Sequence, residues 1–320
     1  MTRVLLLFID GLGLGENQAH NPLYALPTPG LNSLLGGAPL TLKSIGASGE
    51  KSLLLPLDAG LNVPGVPQSA TGQASLFTGE NAAALLGRHL KGFPNETLRN
   101  LLREKGFFQE CLAQGFKVTF ANAFRPAFFS ALEKGHRFFS CSTMLNYYAG
   151  LPFRSLEDVE EGEAVYADIT NEYLQEQGFP VTVIEPAEAA HRLCRLATGY
   201  DLTLFEYFLT DIAAHSRKAE RIHAAIHRLD EFLLTLDTIL PPDCLLVVTS
   251  DHGNIEDTRM KGHTQNPVPA LIYGRERDYF AGKLACITDV APTLREFLAA
   301  HLVKSTWRAQ AHRGGAVRDV

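Results

Sequence analysis

The chain has 320 residues, 46% of them hydrophobic and 20% charged, which is enough for one large core or a core with an insertion and excludes a mostly disordered chain. A net charge of −6 and a pI near 6.0 exclude the basic stripe that neutralises nucleic-acid phosphates, so no nucleic-acid partner is expected. Five scattered cysteines with no C-x-x-C pair read as free thiols, and no apolar run nears the ~18 residues of a membrane span, so the expectation is a soluble cytoplasmic protein with no membrane partner.

Val4 to Ile9 is a continuous apolar run closed by Asp10 and Gly11, the pattern of a strand buried on both faces of a parallel sheet and too short for a signal-peptide core. The segment Pro67 to Gly79 opens a helix that Ser69 is placed to cap. A helical pattern over Asn95 to Ala113 precedes a strand pattern over Lys117 to Ala121. From Arg125 to Ile184 the rhythm breaks into aromatics, small residues and an acidic run, and residues 125–184 are expected to form a small insertion or cap over the site. Helical patterns then cover Ala187 to Ala197, Arg217 to Ile239 and Val290 to Ala300, and strand patterns cover Leu202 to Tyr207, Cys244 to Thr249 and Pro269 to Tyr273. Strands alternating with helices predict an α/β fold, a mostly parallel sheet sandwiched by helices, with its core drawn from residues 1–124 and 185–303. Residues 304–320 lack periodicity and are expected to be a C-terminal tail.

Ligands of open α/β sheets bind beyond the carboxyl ends of the strands, and here those positions are rich in Asp and His. Asp10 follows the first apolar run; Asp251 and His252 follow Cys244 to Thr249. Asp211 and His215 follow Leu202 to Tyr207 at i,i+4 spacing, which puts a carboxylate and an imidazole on one face if a helix begins there. His263 sits in a loop that leads directly into another apolar run. Imidazole plus carboxylate ligation favours Mn or Zn over Mg or Ca. With Ser69, the candidate ligands number seven, too many for one ion, and a pair of divalent ions ~4 Å apart accounts for the count. Ser69, at a helix N-terminus where backbone N–H groups can hold a phosphate, is the candidate nucleophile, and Thr71 is its rival.

These segments resemble the alkaline phosphatase superfamily, and within it the cofactor-independent phosphoglycerate mutases and phosphopentomutases. Ile9-Asp10-Gly11, Gln68-Ser69-Ala70-Thr71-Gly72, the Asp211-x-x-x-His215 clip, Ser250-Asp251-His252-Gly253-Asn254 and the stretch from His263 to Pro269 stand in the family's order. The resemblance implies an alkaline phosphatase-like core in which Asp211, His215 and His263 take one ion and Asp10, Ser69, Asp251 and His252 take the other. It also implies phosphoryl transfer to and from a small phosphorylated substrate, by a phosphatase or a phosphomutase; sulfate or phosphonate esters, and a non-catalytic metal- or phosphate-binding protein, are the alternatives. Two departures bear on this. Gln73 stands where those mutases usually carry His, which implies a changed phosphate contact, and the middle segment lacks recognisable counterparts of the basic residues that hold their sugar phosphates. His223 and His227 are read as a solvated helix face, and Arg88, His89 and Lys91 as surface charge as readily as an anion grip.

Overall fold

The computed structural model describes residues 2–46 and 51–301; the expected tail at 304–320 lies outside them. Six strands form one sheet: β1 (Arg3–Ile9), β2 (Ser52–Leu57), β3 (Val118–Phe120), β4 (Leu202–Tyr207), β5 (Cys244–Thr249) and β6 (Val268–Tyr273), in the order β2-β6-β5-β1-β4-β3. β1 pairs in parallel with β4 and β5, and β3 in parallel with β4, while β6 is antiparallel to both β5 and β2. The fold is therefore the mostly parallel α/β sheet that the alternating patterns predict.

Side chains on a strand alternate between faces, so a central strand with helices on both sides must be apolar throughout. β1 shows this directly. Val4, Leu6 and Phe8 join a cluster with Ala70, Ala74 and Phe77 of the Ser69–Thr78 helix, whereas Leu5, Leu7 and Ile9 join a second cluster with Leu229, Phe232 and Leu236 of the Ala219–Ile239 helix.

Three local differences from the sequence pattern have physical causes. β2 has no counterpart among the expected strands: it is a sheet edge, only half of its residues are fully buried, and Pro56 interrupts its run. Proline is tolerated there because an edge strand need not donate everywhere, and Pro56 sits opposite Pro269, so neither partner lacks a donor that the other awaits. The helix expected over Asn95 to Ala113 divides into Glu96–Lys105 and Phe107–Ala113, because Gly106 takes an extended conformation (φ −62°, ψ 128°). A Cβ there would come within 2.6 Å of the Leu102 carbonyl oxygen. The helix expected from Arg217 begins only at Ala219, because Arg217 adopts φ 57° and closes the preceding Leu209–Ser216 helix.

The 125–184 stretch expected as an insertion or cap divides its contacts. The Cys141–Tyr148 helix packs into the core through Cys141, Met144 and Leu145, and Ala123 and Asn122 make single bridges to Arg154 and Val165. The Pro126–Glu133 helix, in contrast, buries none of its side chains although its sequence is PAFFSALE.

Candidate metal centre and its surroundings

The site lies where the register brings strand ends level. Phe8 pairs with Thr249 and Ile9 with Tyr207, so Asp10 emerges beside Asp251 and at the start of the turn into the Leu209–Ser216 helix. That helix carries Asp211 and His215 on one face, with the His215 Nε2 3.3 Å from the Asp211 Oδ2. His263 precedes β6, and because β6 runs opposite to β5 its amino end lies at this same edge. Close approach is possible only because two positions lack side chains. Gly11, at φ 71°, would place a Cβ 2.8 Å from the Asp211 Oδ1, and a Cβ on Gly72 would sit 2.7 Å from the Asp251 carbonyl oxygen.

All seven sequence candidates converge. The His252 Nε2 stands 3.1 Å from the Ser69 Oγ, 3.3 Å from the Asp10 Oδ1 and 3.5 Å from the Asp251 Oδ2. The His263 Nε2 is 3.5 Å from the Asp211 Oδ1 and 3.1 Å from the His215 Nε2, and the His252 and His263 rings stack with centroids 3.6 Å apart. Donor atoms of Asp10, Asp251 and His252 lie within 4.8 Å of one another, as do those of Asp211, His252 and His263. His252 thus belongs to both halves. His215 is the outermost member, its side chain 47% exposed.

Ser69 is the first residue of its helix, not the cap; Gln68 holds that place without a side-chain bond. The Ser69 hydroxyl is therefore left to face His252. Thr71 is fully engaged and buried, donating to the Gln68 carbonyl at 3.2 Å and accepting from the Leu90 N–H at 3.2 Å. Gln73 faces the carboxylates: its Nε2 donates to the Asp251 Oδ2 at 3.1 Å and to the Asp10 Oδ2 at 3.4 Å. Arg88 and Lys91 are exposed, and His89 faces the Val63 carbonyl oxygen. His223 and His227 are exposed, the latter beside Glu231.

Three supporting residues were not singled out from sequence. Asn254 donates to the Asp211 Oδ1 at 2.7 Å. Glu256 is wholly buried and ties three loops together, accepting from the Gly13 and Asn254 N–H groups, the Thr264 hydroxyl and the Asn266 amide. Glu206, a lone carboxylate inside the otherwise uncharged β4 run, accepts from the Ser142 hydroxyl at 2.5 Å. A charge in a fully buried strand is the sequence signal for Glu206; Glu256 has none beyond its nearness to the Asp251 motif.

The electrostatics are those of crowded, buried acid. Burial, and then the neighbouring Asp251, Asp211 and Glu206, push the Asp10 carboxyl well above its ordinary range. Burial and then Asp211 push Asp251 up to about 7, and burial and then His263 push His252 down to about 3, so its imidazole is neutral. Among the described residues no arginine or lysine pairs with Asp10, Asp211 or Asp251; their charged-pair neighbours are all imidazoles.

Residues 181–302 match the model of the Metalloenzyme superfamily, a stretch that includes Asp211, His215, Asp251, His252 and His263. Over 121 residues the chain is 31% identical to a 2,3-bisphosphoglycerate-independent phosphoglycerate mutase of Syntrophotalea carbinolica, covering 35% of this chain and 24% of the relative. Over 87 residues it is 33% identical to a phosphopentomutase of Carboxydothermus hydrogenoformans, covering 27% and 22%. In both cases the match spans under a quarter of the relative's own length. A cold-active alkaline phosphatase from a Shewanella species superposes with a TM-score of 0.52 at 13% identity, over 92% of this chain and 99% of that one, and so shares the fold. The matched stretch contributes β4, β5 and β6, while Asp10 and Ser69 come from outside it.

Proposed function

We propose that the chain is a binuclear-metal phosphoryl-transfer enzyme that acts on a small phosphate ester through a phosphoserine at Ser69. The observation that carries this reading is the gathering of Asp10, Asp211 and Asp251 around the imidazoles of His215, His252 and His263 with no arginine or lysine among the described residues to balance them. Buried carboxylates without a countercharge are costly, and a divalent cation removes that cost. The donor set fits such ions. The Asp10 Oδ1 is buried with no hydrogen bond, and the His263 Nδ1 donates to the Pro67 carbonyl at 2.8 Å, which leaves its Nε2 lone pair directed at Asp211 and His215. The superfamily match implies divalent metal cofactors.

On this reading Asp10, Ser69, Asp251 and His252 would hold one ion and Asp211, His215 and His263 the other, with Mn or Zn as the species suited to mixed imidazole and carboxylate donors. When bound, the pair supplies Lewis-acid polarisation of the phosphate oxygens and a lowered pKa for the Ser69 hydroxyl. The chain does the rest. The first turn of the Ser69–Thr78 helix aims the Ser69 Oγ into the cavity, and Gln73 fixes the orientation of Asp10 and Asp251. The Ser69 Oγ attacks phosphorus, the ester P–O bond breaks and the alcohol leaves; water or a second hydroxyl then takes the phosphoryl group and restores Ser69. A phosphatase and a phosphomutase differ only in that acceptor. The five unpaired cysteines suit a reducing compartment such as the cytoplasm. Elemental analysis of Mn- or Zn-reconstituted protein tests the reading: close to two ions per chain are expected, with one lost in Asp211→Ala, and no bound transition metal would overturn it.

A further inference from the structure

Ser69, Asp10 and Asp211 open onto a cavity of about 640 Å³ whose far wall is aromatic. Phe124 stacks on Phe128 with ring centroids 4.1 Å apart, and Phe128 meets Phe139 at 4.9 Å. The Pro126–Glu133 helix that carries Phe128 buries none of its side chains completely, and its Ala127, Phe128 and Ala131 line the cavity. At the mouth, Phe93, Phe138 and Ile212 are 57%, 71% and 50% exposed. Arg125 is the sole arginine or lysine on the wall and has no carboxylate within ion-pair distance among the described residues; its guanidinium lies 5.5 Å from the Tyr173 ring centroid.

The phenyl rings are a poor host for a polyhydroxylated alcohol, because hydroxyls pressed against them lose their water without gaining partners. The wall is a good host for hydrocarbon, since contact with the ligand would remove from water the rings that the fold leaves exposed. Continuity with Ser69 identifies the occupant as the group attached to the phosphate and not a separate macromolecule. We propose that the substrate is a phosphate monoester of an apolar alcohol, its hydrocarbon body lying against Phe124, Phe128 and Phe139 with Arg125 as the single cation beside it. This rests on the phosphoryl-transfer reading above. In each turnover the ester P–O bond breaks, the phosphoryl group passes to the Ser69 Oγ and the alcohol leaves with the proton that Ser69 gives up. Water then cleaves the phosphoserine to phosphate.

The test is phosphate release by the metal-reconstituted full chain from ethyl, butyl and hexyl phosphate, set against glycerol 3-phosphate and 3-phosphoglycerate. The expected kcat/KM rises roughly tenfold for every two methylenes buried, and butyl phosphate exceeds glycerol 3-phosphate by roughly tenfold or more. Phe128→Ala flattens the dependence on chain length, and Phe138→Ser, at an exposed position outside the core, flattens it less. A flat or falling alkyl series, with faster turnover of glycerol 3-phosphate or 3-phosphoglycerate, overturns the apolar substrate while leaving phosphoryl transfer intact. No phosphate release from any ester overturns this inference, and if protein quenched with the same esters and metal bound also carries no phosphate on Ser69, the phosphoryl-transfer reading falls with it.

Discussion

The floor and the far wall of the Ser69 cavity are held in place by different means. On the floor, Asp251 is bonded by Gln73, Asp211 by Asn254 and His263 by its bond to Pro67, while Glu256 ties the loops after β1 and β5 to the loop before β6. These partners lie far apart in sequence, so each loop is fixed by several others. On the wall, Phe128 instead sits on the Pro126–Glu133 helix, which contributes no buried residue, and it meets the core through Phe124 and Phe139, which flank that helix and pack against the core. The contrast teaches that the groups meeting the phosphoryl centre are over-determined by long-range contacts, whereas those meeting the alcohol are lightly tied, so wall substitutions should alter preference with small cost to the fold.

The largest break in this comparison comes from the floor. Ser69→Ala should lower turnover by on the order of a thousandfold or more, since both the positioned oxygen and the two-step route are lost, while phosphate-release assays and metal analysis show most of the metal retained on the other six residues. Thr71→Ala should retain turnover and cost about 1 kcal/mol of stability through its lost hydrogen bonds, read from urea unfolding.

A smaller effect is expected at the seam, where Glu206 of β4 meets Ser142 of the Cys141–Tyr148 helix. Burial raises this carboxyl from 4.5 to about 7. The folded chain therefore holds the proton more tightly than the unfolded one, so stability is complete below pH 4.5, falls as pH rises towards 7 and is level above it. Glu206→Gln should abolish that decline, gaining on the order of 3 kcal/mol over the native chain at pH 8 and almost nothing near pH 4, by urea midpoints.

The smallest effect belongs to the wall. Phe128→Ala should lower kcat/KM for an apolar ester by about tenfold while costing only about 1–2 kcal/mol in unfolding free energy, because the ring is partly exposed. A loss of folding comparable to that of a core phenylalanine such as Phe8 would erase the distinction between floor and wall.

The same contrast governs what was legible in the sequence. β1, β4 and β5 are buried on both faces, so their apolar runs announce them, and the Asp and His residues that follow mark the sheet edge. β2 escaped because an edge strand needs neither a continuous apolar run nor a full set of donors, and Pro56 breaks its pattern. Ser69 stands one position inside its helix and not at the cap that serine favours, and its hydroxyl faces His252, 183 residues away in sequence. Glu256 carries no local signal beyond its nearness to Asp251, and although Gln73 stands out within its motif, its bonds to Asp10 and Asp251 are contacts that only the folded chain brings together. The cap expectation for residues 125–184 rested on broken periodicity, which does not separate the core-packed Cys141–Tyr148 helix from the uncovered Pro126–Glu133 helix.

The most direct test of the floor's chemistry is mass spectrometry of metal-reconstituted protein quenched during turnover of a phosphate ester, with the modified peptide mapped. Phosphate on Ser69 is the predicted result. Phosphate on Thr71, or no phosphoprotein together with substantial turnover in Ser69→Ala, would contradict it.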